Sequence, residues 1–120
     1  MTAAEKEAVV LLGVLRDRER LAGGLEAAML VPYGPRRGLA LMRVKAAREG
    51  IVPVDLAAWI GHVPTPSEST MFSRTYAALE AQGLVERHSG FGEGLRTSKL
   101  RLTAEGERRA RELAASHTVA

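Results

Sequence analysis

Residues 65–88 read TPSESTMFSRTYAALEAQGLVERH, and this stretch decides the fold. Thr65 stands as a helix N-cap with Pro66 at the first helical position and Glu68 at the third. In that arrangement side chain and backbone satisfy two otherwise orphaned amides reciprocally. Across the helix that follows, to about Gln82, Phe72, Tyr76 and Leu79 recur at i, i+4 and i+7 and make one buried stripe. Gly83 supplies the left-handed stop, and Leu84 to His88 reads as a strand.

Working outward, Ser89 to Gly94 is a glycine-rich loop. Lys99-Leu100-Arg101-Leu102 alternates charged and apolar residues, as a half-buried returning strand does. Thr103 caps a last amphipathic helix through Ala115, leaving 116–120 as a disordered tail. Upstream, Asp55 to Ile60 is a short helix closed by Gly61, followed by His62-Val63-Pro64. Ile51 to Val54 is a brief edge strand, because Pro53 has no amide to donate. Pro35 to Arg48 is helical, its pattern carried by Leu39, Met42 and Ala46 with Leu41 and Val44 flanking, and Leu25 to Val31 is a short helix or a linker. Thr2, with Glu5 three residues on, opens a helix to about Leu21. Its apolar arc, Val9, Leu11, Leu12, Val14 and Leu15, is wider than one small core needs, so a partner subunit is expected to cover part of it.

Two consecutive helices followed at once by a β-hairpin predict a winged helix-turn-helix. The expected class is mainly α with a small β-hairpin (α+β) and an extra N-terminal helix for dimerisation. Residues 1–34 form the dimerisation segment, 35–115 the winged domain and 116–120 the tail.

The chain of 120 residues carries 17 Lys+Arg against 14 Asp+Glu, a net charge of +3, which permits a polyanionic partner without demanding one. Its cations cluster: Arg36, Arg37, Arg43, Lys45 and Arg48 precede any acid before Glu49, and Arg96, Lys99 and Arg101 form a second acid-free group. The absence of cysteine excludes disulfides, thiolate metal sites and thiol nucleophiles. The longest apolar run, Ala8 to Leu15, is too short to span a membrane, and Glu5 and Glu7 precede it where a secretory signal would carry basic residues. A soluble, cytoplasmic protein is expected. His62, His88 and His117 are scattered, so neither metal binding nor catalysis is expected, and no cofactor. Gly90 to Gly94 lacks the Lys-Ser/Thr and the strand-to-helix setting of a phosphate loop. Trp59 reads as core, and aromatic residues at 4% are too few for a base-stacking surface.

Ser73-Arg74, then Leu79-Glu80-Ala81-Gln82-Gly83-Leu84-Val85-Glu86-Arg87, then Arg96 ahead of Leu102-Thr103 and Gly106, resembles the MarR-type transcriptional regulators over roughly Asp55 to Ala114. The turn from His62 to Pro66 is longer than theirs. The resemblance implies a homodimeric regulator, a repressor in its action, that reads double-stranded DNA through a recognition helix (about 66–82) and a wing (about 89–98). Any small-molecule effector is unspecified. The alternative is a winged-helix module for protein–protein contact in a transcription, replication or partition assembly.

A helical step of ~100° per residue puts Ser67, Thr70 and Arg74 opposite the buried stripe, flanked by Met71 and Ser73. Arginine suits a bidentate guanine or phosphate contact, Ser and Thr hydrogen-bond either, and Met71 suits a thymine methyl. The resemblance places Arg96 as the wing arginine, for the minor groove. Lys99 and Arg101, alternating outward, suit phosphates, as do Arg36 and Arg37.

Overall fold

The computed structural model describes residues 1–89 and 97–118. Its elements are α1 (Ala3–Ala22), α2 (Leu25–Met29), α3 (Pro35–Arg48), β1 (Ile51–Pro53), α4 (Leu56–Ile60), α5 (Pro66–Ala81), β2 (Val85–His88), β3 (Lys99–Leu102) and α6 (Ala104–Thr118). The protein is mainly helical, with one three-stranded antiparallel sheet in the order β1-β3-β2. β1 lies at the edge, Ile51 opposite Arg101 and Pro53 opposite Lys99, so the missing proline amide interrupts no central ladder. None of the described helices is long and apolar enough to cross a membrane.

α1 begins with a complete capping box between Thr2 and Glu5 and then runs through the middle of the packing. It contacts α3, α4, α5, α6, β1 and β3. Val10, Leu11, Val14 and Leu15 are buried in the same cluster as Trp59, Phe72, Leu79 and Leu100. The chain's own elements on either side cover these four residues, while Val9 and Leu12 stay partly exposed. The packing also crosses residue 34. The helix that packs on α4 and α5 is α1, whereas α3 packs on α1, α2 and β1.

The phase of α3 differs from its apolar pattern as well. Val44 and Ala47 are buried, while Leu39 and Met42 are 49% and 68% exposed. The helix carries two apolar stripes, and its packing on α1, α2 and β1 covers the one with Val44 and Ala47.

Trp59 ties α4 to α1. Trp59 lies across Gly13, where an added Cβ would come within 2.6 Å of the indole. Its Nε1–H donates to Asp17 Oδ2 at 2.8 Å, and Asp17 is only 6% exposed. The indole donor and the carboxylate thus satisfy each other away from water.

At the other end, α5, β2, β3 and α6 close on one another. Gly83, at φ 75°, ends α5, and its carbonyl accepts the Thr103 hydroxyl at 2.6 Å. Thr103 Oγ1 accepts from the Gly106 amide at 3.0 Å, making the N-terminal cap of α6. Gly106 packs so tightly on the Leu84 carbonyl that a Cβ would sit 1.8 Å from its oxygen. Ser116 donates to the Glu112 carbonyl at 3.1 Å, so α6 continues through 116–118, which were expected to be tail.

α1 and α6 are tied by Arg18 and Glu107 at 2.8 Å, their side chains 19% and 37% exposed. Arg18 first, then Arg111, draws the Glu107 carboxyl down from 4.5 to about 2.

Two predictions follow from this packing. Gly106→Ala should destabilise the protein by about 3 kcal/mol, the upper end of ordinary overpacking, because backbone must move. Gly13→Ala should cost about 1–3 kcal/mol, because only the indole must shift. Urea midpoints measure both, and a Gly106→Ala protein as stable as the parent would refute the close approach. A carboxyl with a lowered folded pKa stabilises above its unfolded value and stops doing so as pH falls toward the folded one. Glu107→Gln should therefore lose about 1 kcal/mol at neutral pH, the scale left after solvent screening. The difference from the parent should shrink between pH 4.5 and about 2, as followed by denaturation at stepped pH.

Candidate nucleic-acid interface

The exposed side of α5 is set by how the helix begins. Thr65 Oγ1 accepts the Glu68 amide at 3.1 Å, and Glu68 Oε1 accepts the Thr65 amide at 2.9 Å. His62 Nε2 lies 2.9 Å from Glu68 Oε2, binding the α4–α5 turn to the same carboxylate. The Thr65 amide, followed by His62, holds the Glu68 carboxyl below its ordinary range. His62 thus hydrogen-bonds the capping glutamate of the helix that follows its turn.

With Phe72, Tyr76 and Leu79 buried as the periodicity implies, Thr75 is buried beside them. The face turned away carries Ser67, Thr70, Met71 and Arg74. These four, with Pro66, line a shallow groove of about 370 Å³. Four of the five residues expected on α5 therefore come together. Pro66 is the addition that charge and hydrogen-bonding chemistry did not single out. Thr70 Oγ1 donates back to the Pro66 carbonyl at 3.0 Å, which leaves its oxygen to accept. Arg74 is exposed and has no ion-pair partner among the described residues. Arg18, Arg87, Arg101, Arg108 and Arg111 all pair with glutamates.

Ser73 is exposed too, but it lines a neighbouring hollow of about 310 Å³ with Asp55, Ser69, Tyr76 and Thr97. The Tyr76 hydroxyl is buried there with no hydrogen-bond partner among the described residues, and burial pushes it up to about 12.

On β3, Lys99 and Arg101 alternate outward against buried Leu100 and Leu102. Lys99 has no acidic partner among the described residues. Arg101 does: it pairs with Glu86, directly opposite on β2. Both side chains of that pair stand at the surface, 45% and 44% exposed. Arg36 and Arg37 are not brought to the α5 groove. Both lie on α3, and Arg37 stacks 6.0 Å from the Tyr33 ring centroid. Arg96 and most of the glycine-rich loop lie outside the described residues.

Among the described residues no group of three or more His, Asp or Glu side chains could hold a metal ion. Comparison of the chain with protein-family models, curated proteins and solved structures gives no match.

Proposed function

We propose that the chain is a sequence-specific, double-stranded DNA-binding protein of the winged helix-turn-helix kind, acting in transcriptional regulation in the manner of the MarR-type proteins it resembles. The observation that carries this reading is the α5 groove. Ser67, Thr70, Met71 and Arg74 converge on one exposed face, and the arginine among them has no acidic partner among the described residues. The order α4, turn, α5, β2, β3 supports it, with β1 laid along β3. In this reading α5 enters the major groove with its N-terminal half toward the base edges. Arg74 makes a bidentate contact to guanine, Thr70 accepts, Ser67 accepts or donates, and Met71 meets a thymine methyl. Lys99, on the exposed face of the sheet, meets phosphate.

Fluorescence anisotropy with random duplex DNA across several salt concentrations tests this. Log affinity should fall linearly with log salt, the slope counting phosphate contacts. On a selected site Arg74→Ala should cost roughly 1–3 kcal/mol and relax base preference. Lys99→Ala should weaken every sequence alike and reduce the slope by about 1. No binding at low salt, or full binding by Arg74→Ala with unchanged preference, would overturn the reading.

A further inference from the structure

The face formed by α2 and α3 carries apolar surface that the described chain does not cover. Leu30 and Tyr33 are 81% and 94% exposed, with Met42 also open. Along α3, Pro35, Leu39, Met42 and Ala46 follow steps of four, three and four, the spacing of a stripe that packs along another helix. The core takes the other side of α3, through Val44 and Ala47. Beside the stripe is a groove of about 470 Å³ lined by Met29, Tyr33, Gly34, Arg37, Gly38 and Leu41. At Gly38 an added Cβ would meet nothing within 4 Å, so the groove is open there to a side chain from outside. Arg37 is held at its edge by the Tyr33 ring and by the Met29 sulfur, 3.5 Å from Nη2.

Charge selects the occupant. Between Pro35 and Arg48, α3 carries Arg36, Arg37, Arg43, Lys45 and Arg48 and no acid. Arg36 and Arg43 lie on one flank of the stripe, where an antiparallel second copy would set like charges against each other. A bilayer takes protruding apolar side chains into its surface and would leave a glycine-floored groove empty. We propose that this face docks an amphipathic helix of a partner protein, with a bulky apolar side chain seated at Gly38 and acidic side chains opposite Arg36 and Arg43. It is helix-in-groove recognition, with Met29 and Met42 adapting to the incoming shape. α3 packs on α1, α2 and β1, apart from the α5 groove, so the docking site stands whether or not α5 reads DNA.

Two labelled helical peptides with the same leucine stripe, one flanked by Glu and one by Lys, test the proposal by anisotropy against the full chain. The Glu peptide should bind, more weakly as salt rises, and the Lys peptide should not. Gly38→Glu fills the groove with a like charge and also favours the helix; Met42→Glu alters an exposed position. Each should weaken the Glu peptide roughly tenfold or more, as loss of a central contact does, with the thermal melt and DNA affinity retained. Equal binding of both peptides, or binding of neither, overturns the proposal. So does a dimer in sedimentation that Gly38→Glu dissociates, which assigns the face to a second copy. Binding to anionic vesicles that Gly38→Glu abolishes overturns it in favour of a membrane.

Discussion

The hydrogen bond from the Trp59 indole to Asp17 is the constraint around which the rest is arranged. A carboxylate this deeply placed persists only when paired, and its partner comes from a helix of five residues too short to be stable alone. The bond requires the indole to lie flat on α1, and that requires no side chain at position 13. Once α4 is seated, Gly61 and the His62–Glu68 contact leave little freedom in where α5 starts. The orientation of the exposed α5 face is thus inherited from a buried contact on α1, well removed from the groove itself.

The residues that carry the family resemblance have mainly architectural work here. Glu80 accepts from the Arg87 amide and guanidinium at 3.0 and 2.9 Å, tying the end of α5 to β2. Gly83 receives the Thr103 hydroxyl, and Gly106 admits the Leu84 carbonyl. These contacts close α5, β2, β3 and α6 into one corner. A motif of this kind reports how a helix, a sheet and the next helix meet. The proposed reading of bases rests on other positions, Ser67, Thr70, Met71 and Arg74, and of these only Arg74 belongs to the quoted pattern.

What was legible in the sequence was what local chemistry determines. Both capping boxes, the α5 stripe, the alternation in β3 and the short α4 are written in spacings of two to four residues, and the structure has them. The phase of α3 was not legible, because both of its stripes are apolar and tertiary packing on α1, α2 and β1 chooses between them. Which elements pack on α1 was not legible for the same reason: its apolar arc records how much surface must be buried, not by what. Of the candidate site, the α5 face could be placed from periodicity alone. The pairing of Arg101 with Glu86 could not, since it depends on strand register, and a one-residue shift would have changed it.

The central position of α1 has a consequence for how the chain reaches this state. Arg18 and Glu107 are 89 residues apart in sequence, and β3, which also packs on α1, follows nearly as late. The helix that anchors the core therefore emerges from the ribosome long before the strands and helix that cover it. Until they arrive, Val10, Leu11, Val14 and Leu15 stay open to other surfaces, the condition in which nascent chains aggregate or recruit chaperones. Seating β3 between β1 and β2 and bringing α6 onto α1 closes long stretches of chain, and that closure costs entropy. Such late, long-range closure makes for slow folding relative to the chain's helical content.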